Sequence, residues 1–529
     1  MLKLSSPTLF LYGPPATGKS TCAQNVAVAL GKRALDLDVL VEQRMGCSIP
    51  QYVAEHGGEA FRDIESAVLA ELCAKRPEAV VALGGGTLLR PANRAVAEAC
   101  GPVVCIHTPP EALARRVERK AGSRPFSKDA EGLLRTLEER REHYASFPLR
   151  VDLEGEPSPQ EVWPKVLAAF GRYVVSGMGP TYGVTVAPGA FEALPRVLAH
   201  LEPRPRHLLL VGDTNTLPLY RDKVFAALGG EIPVHCLPAG EEHKTLATVE
   251  GIWGAMLAAG LERNDLVLAL GGGVVGDLTG FAASAWLRGI RWLNLPTTLL
   301  AMVDAGVGGK TGADLPAGKN LIGAFHPPCA VLSDTETLAT LPERELRCGL
   351  AETFKHAVIG DPDLLNLLGD FAAKRGDIDF LTRLVIRSVG VKVRAILEDP
   401  FERTGRRAAL NLGHTVGHAV EAASGFTVAH GEAVAIGTVA AARLAGRIGL
   451  APQSLAGELA AGLEALGLPT EIPEALARTP ATLRDYLSHD KKKAGGVVRF
   501  ALPRAVGDVV TGCIVPEEVL NGILAGQRA

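Results

Sequence analysis

The sequence predicts an α/β chain: a phosphate-cradling parallel-sheet domain, a second α/β domain, and a mostly helical unit after them. Three observations predict it. Short apolar runs end at glycine turns, at Thr8–Tyr12 before Gly13, Ala79–Leu83 before Gly84 and Leu266–Leu270 before Gly271. Runs of that length bounded by glycine fit strands buried on both faces. Amphipathic stretches such as Glu65–Lys75 and Thr248–Leu257 alternate with them, as in doubly wound domains. From about Pro342 strand signals thin out, and helical periodicity runs through Glu343–Val358, Leu364–Arg375, Ile378–Leu397 and His430–Ile448.

At 529 residues the chain exceeds one ordinary core. The expected units are 1–165, 173–341 and 342–529. The stretch Leu153–Pro164, rich in Glu and Pro, reads as a linker followed by a helix, and Tyr173–Val175 with Gly183–Val186 reads as a new hairpin. A net charge of −3 gives no basic footprint for nucleic acid and no polybasic membrane patch. No run of about 18 apolar residues occurs, and Leu9–Tyr12 leads into a glycine loop, not a signal-peptide cleavage site. Nine cysteines without a C-x-x-C pair read as reduced thiols, so the expected compartment is the cytoplasm.

The segment Gly13-Pro-Pro-Ala-Thr-Gly18-Lys19-Ser20 satisfies G-x-x-x-x-G-K-[ST] and lies between a predicted strand and a predicted helix, Ser20–Leu30. Glycines let consecutive amides converge on phosphate oxygens at a helix N-terminus. Lys19 then reaches the β/γ phosphates, the Ser20 hydroxyl ligates Mg²⁺, and Thr21 follows in the same turn. This predicts ATP as a ligand.

Further motifs narrow the acceptor: Asp36-Leu-Asp38, Gly57-Gly58-Glu59-Ala60-Phe61-Arg62-Asp63-Ile64-Glu65, Gly84-Gly85-Gly86 and Arg124-Pro125. With them the first 165 or so residues resemble the shikimate kinase family. The resemblance implies Asp36 near Mg²⁺, Asp38 at the acceptor hydroxyl, and Arg62 on the shikimate carboxylate. It also implies the triple glycine facing the ring, Arg124 in a lid over ATP, and Arg140 (or Arg141) as a second carboxylate anchor. The physical logic agrees, because phosphoryl transfer needs positioning and positive charge, and a hydroxy-acid acceptor needs an arginine fork.

In Leu410-Asn411-Leu412-Gly413-His414-Thr415-Val416-Gly417-His418, two histidines four apart share a helix face. The spacing suggests H-E-x-x-H, but position 415 is Thr, so the general-base Glu of a zinc protease is missing. A third histidine opens His430-Gly431-Glu432, and a carboxylate stands at Glu352 in an apolar setting. A carboxylate with two imidazoles and an open position is a catalytic metal set.

The remaining motifs come in order. They are Gly240-Glu241-Glu242-His243-Lys244, Gly271-Gly-Gly-Val-Val-Gly-Asp277, Pro296-Thr297-Thr298, Val303-Asp304-Ala-Gly-Val-Gly-Gly-Lys310, Gly318-Lys319-Asn320, Glu352-x-x-Lys355 and His489-Asp-Lys-Lys492. From about Arg172 onward the chain resembles 3-dehydroquinate synthase, an NAD-binding α/β domain followed by a helical metal-binding domain. The resemblance implies Glu352, His414 and His430 as ligands of Zn²⁺ or Co²⁺. It places NAD at the triple glycine around Gly273, with Asp213, Glu241, Lys244, Asp277, Thr297, Thr298, Lys310, Lys319 and Thr340. A phosphorylated C7 sugar acid would meet Arg288, Lys310, Lys355, Lys392, Arg407 and Lys492 (or Lys491). Asp304, Asn320, Asn411 and His418 would complete the shell.

The implied reaction is transient oxidation by NAD with the metal as Lewis acid, phosphate elimination, return of hydride, and an intramolecular aldol closure. No net oxidation results, and a homodimer is implied by likeness. Two rivals share the architecture. Iron-type polyol dehydrogenases do not need the cluster at Lys310, Lys319 and Arg407, whereas other sugar-phosphate cyclases are nearer.

Overall fold

The computed structural model describes residues 6–119, 130–315, 318–489 and 498–527. The chain divides into two compact units, Met1–Arg172 and Tyr173–Ala529. Among the described residues no helix is long and apolar enough to cross a membrane.

The first unit carries five strands: β1 (Thr8–Tyr12), β2 (Arg33–Asp36), β3 (Ala79–Ala82), β4 (Val103–His107) and β5 (Leu149–Asp152). They form one parallel sheet in the order β2-β3-β1-β4-β5. β1 and β3 are buried throughout, which is why they read as unbroken apolar runs. Strand β2 reads Arg-Ala-Leu-Asp and is a half-exposed edge, so no apolar run announces it. Because β1 lies between β3 and β4, the loop leaving it opens where the strand order reverses, the usual crevice for a ligand. The expected linker is partly helical. Glu161 accepts from the Ser158 amide at 2.7 Å, and this cap starts the helix Pro159–Ala169 inside the Glu- and Pro-rich stretch.

The second unit adds β6 (Arg172–Val175), β7 (Tyr182–Ala187), β8 (Leu208–Asp213), β9 (Val234–Leu237), β10 (Leu266–Gly271) and β11 (Arg291–Pro296). The hairpin strands β12 (Lys310–Leu315) and β13 (Gly318–Phe325) follow, then β14 (Ala330–Asp334). The sheet order is β6-β7-β14-β11-β10-β8-β9, and β7 through β9 run parallel. The helix Gly273–Ala285 begins in the glycine turn after β10.

Beyond Pro342 the helices Glu343–Gly360, Ile378–Glu398, His414–Ala423 and His430–Arg447 dominate. The expected helix over Leu364–Arg375 is broken into Asp363–Gly369 and Phe371–Lys374. A small antiparallel hairpin, β15 (Phe500–Ala505) with β16 (Asp508–Cys513), interrupts the helical texture. Close approach of the helices depends on glycines. A Cβ on Gly437 would collide with the Gly413 carbonyl, and one on Gly431 with the Cys348 backbone. The helices bearing Glu352, His414 and His430 can therefore sit backbone to backbone.

Candidate active sites

One group of side chains converges at the carboxyl ends of β1, β2 and β3. Gly13 and Gly18 have φ of 134° and 87°, and a Cβ on Gly13 would strike the Ile106 carbonyl of β4. Gly18 caps the helix Lys19–Ala29 without a side-chain bond to its first amides, which suits an anion there. Lys19 is buried, and its Nζ donates to the carbonyls of Gly13 (2.9 Å) and Pro14 (2.8 Å). The Ser20 hydroxyl donates to Asp36 Oδ2 at 2.5 Å, and Asp36 Oδ1 accepts from the Asp38 amide at 3.0 Å. Thr21 follows, exposed.

The turn Gly84–Gly86 closes this space. A Cβ on Gly84 would stand 2.7 Å from Asp38 Oδ1, one on Gly85 2.9 Å from Pro15 Cδ, and one on Gly86 would strike the Arg62 guanidinium. Arg62 is aimed by Glu65, which is buried, takes its Nη1 at 2.5 Å and accepts from Thr87 Oγ1 at 2.6 Å. Tyr144 donates to the Gly85 carbonyl at 2.8 Å. Burial pushes its phenol up, while a hydrogen bond from Arg140 draws it back. Arg141 instead is exposed and pairs with Glu138 at 3.4 Å, whereas Arg140 reaches Tyr144. Arg124 lies outside the described residues.

The second group begins at the ends of β8, β10 and β11. Asp213 Oδ1 accepts from the amides of Asn215 (2.9 Å) and Thr216 (2.8 Å), which shapes the turn after β8. Gly272 and Gly273 leave room only for Thr298 and Ala305, 3.2 and 3.3 Å from where a Cβ would stand. Thr297 Oγ1 is buried and has no hydrogen-bond partner. Thr340 binds the Thr337 carbonyl at 3.1 Å, and Thr337 in turn donates to Thr297 O at 3.1 Å. Lys244, buried, spans Asp277 (2.7 Å) and Asn320 Oδ1 (2.7 Å). Asn320, expected against substrate, accepts this Lys244 bond and takes a left-handed backbone, φ 52°. Lys319 bridges Glu241 (3.1 Å) and Glu421 (2.8 Å).

The metal-ligating side lies among helices. Glu352 is fully buried, with Oε2 on the Lys355 ammonium and Oε1 without a hydrogen-bond partner. Its Oε1 faces Nε2 of His414 at 3.4 Å and Nε2 of His430 at 3.5 Å. The far nitrogens are anchored, Nδ1 of His414 to the Leu412 carbonyl (3.2 Å) and Nδ1 of His430 to Glu421 (3.4 Å). Burial holds the His414 imidazole well below its usual range. His430 is pushed down by burial, but Glu352 and Glu421 outweigh that and raise it to about 10. A buried carboxylate oxygen aimed at two oriented imidazoles fits a cation bound through one carboxylate and two histidines.

Around this set stand Lys355, which ion-pairs with Glu352 and donates to Leu410 O at 2.9 Å, and Lys392, which meets Asp304 at 2.5 Å. Lys310 meets Glu402 at 2.7 Å. Arg407 is only 1% exposed, and Asn411 is half-buried. The His418 ring is exposed, its centroid 5.1 Å from that of His414.

One expected substrate residue stands apart from the glycine turn. Arg288 is exposed at the far end of the 13-residue helix Gly273–Ala285, which carries it about 20 Å along the axis from the glycine turn. Lys491 and Lys492 lie outside the described residues.

Four residues escaped the sequence reading: Glu421, Glu402, His356 and Tyr144. Glu421 had a signal, since it follows His414 by seven positions and so shares its helix face. His356 is fully buried between Ser388 (2.7 Å) and Asp304 (3.7 Å), and a lone histidine carries no pattern.

Family models match in the same places. Residues 15–170 match shikimate kinase, 234–348 the 3-dehydroquinate synthase N-terminal model, and 349–493 its C-terminal counterpart. A 3-dehydroquinate synthase of Synechocystis sp. is 46% identical over 352 residues, 65% of this chain and 96% of that protein. The chain belongs to the 3-dehydroquinate synthase family. A second synthase, of Symbiobacterium thermophilum, is 44% identical over 66% of this chain and 98% of its own.

Among solved structures, the 2-epi-5-epi-valiolone synthase ValA of Streptomyces hygroscopicus subsp. jinggangensis, with NAD⁺ and Zn²⁺ bound, is 33% identical. It covers 66% of this chain and 98% of its own, with a TM-score of 0.58. A 2-deoxy-scyllo-inosose synthase with carbaglucose-6-phosphate, NAD⁺ and Co²⁺ is 26% identical over 67% and 99%, with a TM-score of 0.60. The other cyclases are thus more distant in sequence than the dehydroquinate synthases. The molecule is a bifunctional shikimate-pathway enzyme, a shikimate kinase joined to a 3-dehydroquinate synthase.

Proposed function

We propose that the synthase unit holds Zn²⁺ or Co²⁺ on Glu352, His414 and His430 and NAD against Gly271–Gly273, and cyclises 3-deoxy-D-arabino-heptulosonate 7-phosphate to 3-dehydroquinate. The observation that carries this is the fully buried Glu352 carboxylate, held on one oxygen by Lys355 and facing two anchored imidazoles with the other. When bound, the metal supplies a Lewis acid and NAD a recyclable hydride acceptor. The protein's own groups do the rest. Lys355, Lys392 and Arg407 concentrate positive charge in a water-poor pocket, where it stabilises the leaving phosphate and developing enolate charge. His418 at the mouth can pass protons to solvent, and Asn411 positions the polar shell. Asp304 keeps Lys392 and His356 in place.

In the kinase unit, Lys19, Gly13 and Gly18 bind the ATP phosphates, and Ser20 with Asp36 places Mg²⁺. Asp38 orients the shikimate hydroxyl, while Arg62 and Arg140 grip its carboxylate.

A homodimer through the synthase unit belongs to this proposal, with Arg288 exposed where a neighbouring copy can reach it. Free cysteines throughout suit the cytoplasm. The test is phosphate release from the heptulosonate phosphate with NAD⁺, with and without chelator, beside net NADH. Chelator-sensitive release without lasting NADH is expected. Accumulating NADH would point to a polyol dehydrogenase. Sedimentation of the intact chain tests the dimer.

A further inference from the structure

The cations assigned to the substrate are already paired. Lys355 is paired with Glu352, Lys392 with Asp304, and Lys310 with Glu402. Arg407 lies 3.9 Å from the same Glu402. Glu352 and Asp304 have other partners in the site, the two histidines and His356. Glu402 differs, because among the described residues its ion-pair partners, Lys310 and Arg407, are both cations assigned to the substrate.

Its position is unusual in three further ways. Glu402 takes φ of 55°, a left-handed backbone that a side-chain-bearing residue adopts rarely and at some cost. It sits on the loop between the helices' ends, tied at its base by Asp399, which is buried and accepts from the amides of Arg403 (2.8 Å) and Thr404 (3.3 Å). At its tip the loop rests on the hairpin through the Glu402–Lys310 pair and through Phe401 against Phe325, two exposed rings 5.5 Å apart. Beneath it Arg407 donates Nη1 to the Pro400 carbonyl at 2.6 Å, while its Nε is buried without a hydrogen-bond partner. An arginine that is 1% exposed cannot meet a substrate oxyanion while this loop covers it.

We propose that Glu402 is an internal placeholder: its carboxylate occupies the oxyanion slot between Lys310 and Arg407, and an anionic group of the substrate takes its place as the Asp399–Arg407 loop lifts. The inference rests on the assignment of Lys310 and Arg407 to substrate binding. It gives the site a second task, keeping two cations oriented and neutralised when no substrate is there. An exchange of one carboxylate for one oxyanion conserves charge, so the loop can move without leaving a buried cation bare.

The test uses the full chain, loaded with NAD and metal, in the variants Glu402→Gln, Glu402→Asp and Lys310→Met. Removing the competing charge is expected to lower KM for the heptulosonate phosphate in Glu402→Gln by about two- to fivefold, in line with a part-exposed ion pair. kcat and melting temperature should hold, and Glu402→Asp should return KM toward the parent value. Inhibition by inorganic phosphate and by the dephosphorylated substrate distinguishes which oxyanion enters the slot, since only the entering kind should tighten in Glu402→Gln. An unchanged or raised KM in Glu402→Gln overturns the placeholder. An unchanged KM in Lys310→Met shows instead that the substrate assignment itself is wrong, and the placeholder falls with it.

Discussion

The kinase unit pairs its key arginine locally, whereas the synthase unit, Lys355 with Glu352 apart, pairs its site cations across the chain. Arg62 meets Glu65 three positions away on one helix. In the synthase unit Lys392 meets Asp304 across 88 positions, Lys310 meets Glu402 across 92, and Lys319 meets Glu421 across 102. The kinase site is therefore mostly backbone, three turns at one sheet edge, with a few charges set by short-range geometry. The synthase site exists only once sheet, hairpin and helices have closed on one another. Each of its cations then stands between an internal carboxylate and the substrate.

If the two sites are chemically independent, single changes should silence one and spare the other. The largest effect is expected from Glu352→Gln. Losing the carboxylate ligand should cost synthase turnover roughly a thousandfold or more, the several kcal/mol that Lewis-acid polarisation supplies. The shikimate phosphorylation rate of the same preparation should be unchanged. A parallel fall in both would break the comparison. Lys19→Met is the mirror experiment. Removing one preorganised cation at the phosphates should lower kinase kcat about 10²- to 10³-fold and leave phosphate release from the heptulosonate intact.

Three substitutions sharpen the contrast between local and distant pairing. Arg140→Met should raise KM for shikimate about 10- to 100-fold, the worth of a charged hydrogen bond, while Arg141→Met should change it less than about twofold. Steady-state kinetics on the pair decides between the neighbours directly. Glu421→Gln should weaken metal binding about 10- to 100-fold, because this carboxylate orients the His430 ring. Chelator competition reads that constant without any turnover.

The same contrast explains what the sequence could tell. Contiguous devices were legible: the Gly13–Ser20 loop, the Gly84–Gly86 and Gly271–Gly273 turns, and the His414/His418 helix face each carry their geometry in adjacent residues. The buried strands β1, β3 and β10 were legible because both their faces are covered. The half-exposed edge β2 was not, nor was the hairpin β15–β16, where alternation is short and broken by Pro503. Counter-ions were the main loss. Nothing near Glu402 in the sequence says that it meets Lys310, since that pairing is made by tertiary packing alone. Arg288 shows another limit, a residue named only by the resemblance, whose place relative to the glycine turn depends on a helix 13 residues long.

The smallest effect separates the units by their response to acid. Asp265 is buried and accepts from the amides of Glu262, Arg206 and His207 as well as facing the His207 ring at 3.0 Å. Burial alone would raise it, but those bonds outweigh burial and hold it at about 2. Its unfolded value is near 3.9. A carboxyl lowered on folding contributes stability that is present above the unfolded value and is lost as pH falls from there through about 2. Asp265→Asn should therefore destabilise the synthase unit by about 1–2 kcal/mol at pH 6, the worth of charge-assisted over neutral hydrogen bonds. The gap from the parent should close as the pH approaches 2. In a calorimetric scan only the synthase transition should move, with the kinase transition fixed. If both shift together, the two units do not unfold separately, and the independence inferred from their pairing patterns fails at the level of stability even where it holds for catalysis.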